Sequence, residues 1–173
     1  MANYQIDNLK PVWVTGGIKD KEPVDWANRF GDYLGDKNLW NEHKKPIQDK
    51  DRDGKLKTDR FTNEPVYTKS QLTTTKLRNF FGEIKRIQIR LGFDNGFETE
   101  KTNILMLKPK LAYAVGREND TNNKEKVKMF YEQLSIGLDA IQYDDAKAGK
   151  EQFNNFVKLM EAVVAYHKAK GGQ

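Results

Sequence analysis

The chain has 173 residues, enough for one domain with a buried core. Its composition, with 37% hydrophobic and 32% charged residues, is polar for a globular protein. It has no cysteine, no signal-peptide core and no long apolar run, so we exclude disulfides, thiolate metal sites and a membrane span, and we expect a soluble cytoplasmic protein. The net charge of +5 lies entirely in residues 66–117, with 10 Lys and Arg against 4 Asp and Glu, which favours a phosphate-bearing partner.

Residues 1–68 are predicted to form an extended, loop-rich arm that differs from the rest of the chain. Only one helix is predicted there, from Pro23 to about Leu34, and a long polar loop follows it. All three tryptophans lie in this part of the chain, at positions 13, 26 and 40. Because the stretch is too polar to build its own core, we expect the tryptophans to dock onto neighbouring subunits.

Part of the polar loop resembles the start of an EF-hand calcium loop. Asp49, Asp51 and Asp53 occupy loop positions 1, 3 and 5, and Gly54 occupies position 6. Position 12, however, is Arg60 in place of the bidentate glutamate, and interleaved lysines and arginines cancel the negative field that calcium needs. We therefore expect a charged turn with Gly54 at positive φ and no bound metal.

From Leu72 to Leu91 the sequence predicts an amphipathic helix with one apolar and one basic face. The apolar residues follow the i, i+3, i+4 spacing of a core-facing stripe: Leu77, Phe80, Phe81, Ile84, Ile87 and Leu91. The basic residues fall largely on the other side: Arg78, Lys85, Arg86 and Arg90. Gly82 lies on the same exposed arc, where a glycine lowers helix stability but permits close approach of a partner. We expect one stripe of cations open to a polyanion.

Further helical patterns follow this basic helix. The next stretch, up to Val115, is interrupted by Pro109, where we expect a kink or a new helix start. Two more helices are predicted at about 123–142 and 150–169, and Gly171 suits the position after the last of them. The fold class is therefore all-α, a small helical bundle of about five helices, with residues 69–173 as the bundle and residues 1–68 as an extension.

The sequence gives little support for catalysis. His43 lies in the polar loop, and His167 lies near a helix end, where the helix dipole favours a protonated imidazole. Neither has an acidic residue at metal-ligand spacing. The pair Asp144 and Asp145 is expected to end a helix and start a turn. We expect no enzymatic activity and no cofactor.

Three blocks of the sequence together resemble the small subunit of the type III-A CRISPR effector (Csm) complex. They are Leu72-Thr-Thr-Thr-Lys-Leu-Arg78, then Lys110-Leu-Ala-Tyr-Ala-Val-Gly-Arg117, and finally Phe153-x-x-Phe156 leading to Glu161-Ala-Val-Val-Ala-Tyr-His-Lys168 and Gly171-Gly172. Order and spacing match over about the last 100 residues. The resemblance implies a helical subunit, present in several copies, that helps to hold target RNA paired to guide RNA and is not itself the nuclease. Implied partners are this RNA duplex, other Csm subunits and adjacent copies of the chain.

The resemblance also implies which residues contact RNA. It places RNA contacts at Lys76, Arg78, Lys110 and Arg117. The helical-face argument adds Lys85, Arg86 and Arg90. Three aromatic residues of the matched blocks are expected to pack within the protein and not to stack on bases: Tyr113, Phe156 and Tyr166.

Two alternatives stay open at the level of sequence. The chain could be a stand-alone helical module that binds nucleic acid or protein, since the basic helix alone does not name its partner. It could also be a calcium-binding protein or a metal-dependent enzyme that uses the loop beginning at Asp49.

Overall fold

The computed structural model describes residues 6–38, 46–70, 72–119 and 121–171, and in these ranges the chain forms seven α-helices. They are α1 (Pro11–Thr15), α2 (Glu22–Gly35), α3 (Thr74–Arg90), α4 (Gly96–Leu105), α5 (Leu107–Arg117), α6 (Thr121–Asp139) and α7 (Ala146–Ala169). The predicted all-α bundle is confirmed. The sequence did not predict the short α1, and the interrupted stretch before Val115 forms two helices, α4 and α5.

Local chemistry sets several helix ends. The Thr73 side chain accepts a hydrogen bond from the backbone N–H of Lys76 and so caps α3. Pro109 is the third residue of α5, so the new helix start predicted at this proline lies two residues before it. Gly171 follows α7 with a φ of +96°, also as predicted. Asp145 does not end a helix but caps the start of α7.

The amino-terminal helix α2 packs along α7 in the core of the bundle. A Cβ atom on Gly31 would lie 2.7 Å from the carbonyl oxygen of Val163, and one on Gly35 would lie 2.7 Å from that of His167. The two glycines, one helical turn apart, therefore let the backbones of α2 and α7 approach closely. Gly31 lies beside Val163 and Gly35, later in α2, lies beside His167, later in α7, so the two helices run in the same direction.

The prediction that the tryptophans dock onto neighbouring subunits is wrong for Trp13 and Trp26. These side chains are 5% and 0% exposed, and their ring centroids lie 5.7 Å apart. The indole N–H of Trp26 donates to the backbone oxygen of Asp7 at 2.8 Å. Both aromatic rings belong to the core that α1 and α2 share with α7. Trp40 lies outside the described residues, and the division of the chain at residue 68 stays a prediction.

Helix α3 packs on another side of α7, in the opposite direction. Near the start of α3, His167 Nε2 lies 2.7 Å from the Leu72 carbonyl oxygen, and near its end the Gln88 amide donates to Asn154 Oδ1 at 3.0 Å. The predicted apolar stripe of α3 is confirmed. Leu77, Ile84 and Ile87 are buried, and the two phenylalanines of the stripe pack partly buried against the core.

Residues 46–68, which we call the finger, project from the bundle as three extended segments joined by two turns. Backbone bridges join Gln48 to Tyr67 and Thr58 to Pro65. The first turn contains Gly54 with a φ of +79°, so the predicted charged turn is confirmed. The predicted long loop is thus, over these residues, a folded finger.

Lys126 of α6 ties the two ends of the finger region to the bundle. It is 1% exposed, and its ammonium group donates to the backbone oxygens of Asp36, of Asn38 at 3.3 Å and of Ser70 at 3.0 Å. The same group lies 5.3 Å from the ring centroid of Tyr33. Burial lowers the pKa of Lys126 to about 8. The lysine therefore satisfies three carbonyl groups on both sides of the finger.

Candidate nucleic-acid interface

The solvent-facing side of α3 carries two arginines on either side of a glycine. Arg78, Gly82 and Arg86 follow one another at four-residue steps and so lie along one face, which we call the α3 outer face. Arg86 Nε donates to the Gly82 carbonyl oxygen at 3.2 Å, and a Cβ atom on Gly82 would meet nothing within 4 Å. Within the described ranges neither arginine has a carboxylate partner. This face is therefore cationic and sterically open.

A second cation lies near Arg78. Arg78 lines a cleft of about 240 Å³ between α3 and α7. The exposed side chain of Lys168, in the last turn of α7, lines the same cleft. The residues predicted from the sequence to contact RNA do not include Lys168, although it lies within the third of the resembling blocks. Its proximity to Arg78 follows from the packing of α7 against α3, for which the sequence carries no local signal.

Two of the predicted cations form ion pairs at the surface. Lys85 Nζ lies 2.7 Å from Glu161 Oε1, and Lys110 pairs with Glu83. All four side chains are partly exposed, and exposed pairs of this kind contribute about 0–1 kcal/mol to stability. A phosphate that reaches these lysines can therefore replace the carboxylate with little loss of stability.

Two further predicted cations neutralise buried carboxylates. Arg90 Nε lies 2.7 Å from Glu100 Oε1, and the Glu100 side chain is only 5% exposed. Burial opposes the charge of Glu100, but hydrogen bonds from Asn103 and Arg90 outweigh it and hold the pKa of Glu100 below its ordinary value. Lys76 pairs in the same way with Glu118, whose side chain is 9% exposed. Arg90 and Lys76 therefore have a structural role.

Helices α3, α5 and α6 enclose a groove of about 470 Å³, the α3–α5–α6 groove, with an apolar floor and a charged rim. Its floor is formed by Leu72, Phe80, Leu111, Val127 and Phe130. Three predicted cations lie at its rim, Lys76, Lys110 and Arg117, together with the two carboxylates that pair with the lysines. The guanidinium carbon of Arg117 lies 5.5 Å from the centroid of the Tyr113 ring. The groove thus joins apolar surface to groups of both charges.

The cations of α3 do not form the single open stripe that the sequence predicted, because carboxylates pair with Lys85 and Arg90. Of the seven predicted RNA-contact residues, four form ion pairs with carboxylates on other helices or, for Lys76, just after the end of α5: Lys76, Lys85, Arg90 and Lys110. In the ranges that the structure covers, the three without a carboxylate partner are Arg78, Arg86 and Arg117. A helical wheel places cations on a face but cannot place their partners on neighbouring helices. Contact of these residues with RNA stays a prediction.

The three aromatic residues that were predicted to pack within the protein differ in how far they are buried. Phe156 is fully buried and Tyr166 packs partly buried against the core, as predicted. Tyr113 is 65% exposed, so the prediction that it packs within the protein is wrong. The reason is that Tyr113 lies on the solvent side of α5, next to the groove and not beneath it.

The carboxylates of the calcium-like loop form bonds within the finger. Asp49 Oδ2 lies 2.8 Å from the ammonium group of Lys57. Asp51 Oδ1 accepts hydrogen bonds from the backbone N–H groups of Asp53 and Lys55, each at 2.9 Å. These bonds shape the turn around Gly54 and occupy oxygen atoms of two of the three aspartates that the calcium alternative requires.

The prediction of a charged His167 is wrong. The side chain is fully buried, and a neutral ring protonated on Nε2 can donate to the Leu72 carbonyl oxygen, 2.7 Å away. Burial lowers the pKa of His167, and the nearby ammonium group of Lys126 acts in the same direction. His43 lies outside the described residues.

The greater part of the chain matches a known family. Residues 57–173, which include α3 to α7 and all seven predicted RNA-contact residues, match the family model described as Csm2 Type III-A. The chain belongs to the Csm2 family. Comparison with curated proteins and with solved structures gives no significant match. The predicted relation to the small subunit of the type III-A CRISPR complex is confirmed.

As a Csm2 family member, the chain is a subunit of a type III-A CRISPR complex and has other Csm subunits as partners. The matched region begins inside the finger, so α1, α2 and the first half of the finger precede it. Among the helices that the structure describes, none is both long and apolar enough to cross a membrane.

Proposed function

We propose that this Csm2-family chain is a non-catalytic, cytoplasmic subunit that holds target RNA paired to guide RNA through phosphate contacts. Base pairing with the guide supplies the sequence specificity of such a complex, so a supporting subunit needs contacts to the RNA backbone and not to base edges. The observation that carries the proposal is the α3 outer face, where Arg78 and Arg86 flank Gly82 without a carboxylate partner in the described part of the chain.

The geometry of the α3 outer face suits a phosphate backbone. Arg78 and Arg86 are eight residues apart, a spacing of about 12 Å along the helix axis. Arginine donates several hydrogen bonds to phosphate in a fixed fork, and the missing side chain of Gly82 leaves the helix backbone open between the two arginines. Lys168 adds a third cation beside Arg78.

The other predicted cations contribute to different degrees. Lys85 and Lys110 can exchange their exposed carboxylate partners for phosphate, since the pairs are weak. Lys76 and Arg90 add little to the positive field, because a buried carboxylate balances each of them. Arg117 lies apart from the α3 outer face, at the rim of the α3–α5–α6 groove.

The test is the triple variant Arg78→Gln, Arg86→Gln, Lys168→Gln of the full chain, titrated with paired target and guide RNA at several salt concentrations. We expect weaker binding for every RNA sequence, because phosphate contacts carry no sequence information. The slope of log K against log salt should shrink by roughly 2–3, since each lost phosphate contact contributes about 0.7 on a single strand and about 0.9 on a duplex.

The matched control removes three exposed lysines that lie outside α3 and outside the part of α7 that contacts it: Lys19→Gln, Lys21→Gln and Lys147→Gln. It changes the net charge by the same amount, so it reports any nonspecific effect of charge. We expect the control to bind RNA nearly as well as the parent, and both variants to keep the parent melting temperature. Equal losses in the two triple variants, or an unchanged salt slope in the first, would contradict the proposal.

A further inference from the structure

The tip of the finger displays an aromatic side chain to solvent. Phe61 is 98% exposed. Asp59 Oδ1 accepts hydrogen bonds from the backbone N–H groups of Phe61 at 2.9 Å and Thr62 at 3.0 Å, and Asn63 takes a φ of +58°. The backbone of the turn is therefore held in place while the ring has almost no contact with its own chain. An exposed ring on a fixed turn is well suited to insert into a partner, because burial releases the water around it.

The α3–α5–α6 groove has the features of a surface that receives a protein side chain. Its floor is apolar, while charged groups and the exposed Tyr113 and Arg117 lie at the rim, which is the usual composition of a protein interface. Its volume of about 470 Å³ accommodates a phenylalanine ring and its neighbours. The carboxylates of Glu83 and Glu118 balance two of the rim cations, so the groove attracts a phosphate chain less than the α3 outer face does.

The charges of the finger tip and of the groove rim are opposite. The rim carries three cations, Lys76, Lys110 and Arg117, against two carboxylates, so it has one positive charge in excess. Residues 59–64 at the tip carry two carboxylates against one arginine, so the tip has one negative charge in excess. Complementary charge around an apolar centre favours this pairing over contact between two like surfaces.

We propose that the finger of one copy of the chain inserts Phe61 into the α3–α5–α6 groove of a second copy. The contact joins two different surfaces, so one copy keeps its groove free and the other keeps its finger free. Further copies can therefore add in a row. The inference goes beyond the proposed function, which concerns RNA binding by the α3 outer face. The α3 outer face belongs to neither surface, so RNA and a second copy can be bound at the same time.

The absence of cysteine makes disulfide cross-linking a direct test. A Phe61→Cys variant is mixed with an Ala114→Cys variant under mild oxidation, since Ala114 is exposed and lines the groove. We expect a dimer with one copy of each variant to form at least about tenfold faster than in the control mixture of Phe93→Cys with Ala114→Cys. Phe93 is a suitable control because it is 69% exposed but does not line the groove.

Two outcomes of the cross-linking experiment would overturn the inference. Equal rates in the two mixtures would show that the tip has no preference for the groove. In a chain that carries both cysteines, an intramolecular disulfide that forms at high dilution would show that the finger closes onto its own groove.

A Phe61→Ser variant separates this inference from the proposed function. The substitution lies in solvent, so the fold is unaffected, and we expect self-association measured by sedimentation velocity to weaken at least about tenfold while RNA affinity stays unchanged. Unchanged self-association would refute the inference. A loss of RNA affinity equal to that of the Arg78, Arg86 and Lys168 variant would identify Phe61 as an RNA contact and would likewise refute it. Failure of the proposed function has a different readout, since it concerns RNA binding by the α3 outer face alone.

Discussion

Substitution of Gly82 by alanine separates the stability of α3 from its proposed contact with RNA. Glycine inside a helix is less favourable than alanine by about 0.5–1 kcal/mol, because it loses more backbone entropy on folding. A Cβ atom at Gly82 would meet nothing within 4 Å, so the added methyl group has no steric cost in the free protein. We expect the free energy of unfolding to rise by about 0.5–1 kcal/mol and the melting temperature to rise by about 1–4 °C.

The same methyl group should weaken RNA binding. Under the proposed function a phosphate approaches the helix backbone between Arg78 and Arg86, in the space that the Gly82→Ala side chain would fill. We therefore expect a protein that is more stable but binds RNA severalfold more weakly, measured by thermal melting and by the RNA titration. A higher melting temperature with unchanged affinity would refute the close approach of RNA, and a lower melting temperature would refute the open environment of Gly82.

The substitution Gly31→Ala should have the opposite effect on stability from Gly82→Ala. Its Cβ atom would lie 2.7 Å from the Val163 carbonyl oxygen, and backbone atoms of α7 cannot move aside as a flexible side chain can. We expect a loss of about 1–3 kcal/mol in unfolding free energy, typical of overpacking in a core. The same chemical change should thus stabilise α3 and destabilise α2.

Two further predictions concern the paired cation Arg90 and the buried imidazole of His167. Arg90→Gln leaves buried Glu100 without its cation and should lower the unfolding free energy by about 1–3 kcal/mol. Lys85→Gln, which removes an exposed ion pair, should lower it by only about 0–1 kcal/mol. Equal losses of the two variants in urea denaturation would contradict this difference. Because burial depresses the pKa of His167 below its ordinary value of 6.5, the unfolded chain binds a proton near that pH that the folded chain does not. Stability should therefore fall as the pH drops below about 6.5, by up to about 1.4 kcal/mol per pH unit, and a His167→Gln variant should lack this part of the pH dependence.

The helices could be predicted where their signal is local. The apolar stripe of α3 and the threonine that caps it depend on residues three or four positions apart, and both are visible in the sequence. The same holds for most of α2, α6 and α7. The new helix start near Pro109 was predictable because a proline lacks the backbone N–H that a continuous helix needs.

The place of the tryptophans could not be predicted, because it depends on contacts between distant parts of the chain. Trp26 has a local contact with Phe30 on the same helix, but the core that buries it includes α7, more than 100 residues later. One indication was present in the sequence. Gly31 and Gly35 lie one helical turn apart on α2, a spacing that permits close packing against another helix.

The pairing of the predicted cations was likewise hidden from the sequence. Glu118 and Glu100 lie beyond the end of α3 along the chain, and only the packing of the helices brings them to Lys76 and Arg90. The charge count for residues 66–117 leaves out Glu118 and Glu161, which lie outside that range and pair with Lys76 and Lys85. The sequence could therefore indicate a basic region but not which of its cations are open.

Each side of helix α3 has a different environment, and the effect of a mutation in α3 must be interpreted by the side on which it lies. Its apolar stripe packs against the core, one flank lines the groove through Lys76 and Phe80, and the α3 outer face is open. Weaker RNA binding by a Lys76 variant would not identify an RNA contact, because Lys76 also holds Glu118 and borders the groove. Arg78 and Arg86 have neither role in the described part of the chain, so a loss of affinity at these two positions, with an unchanged melting temperature, is direct support for RNA on this face.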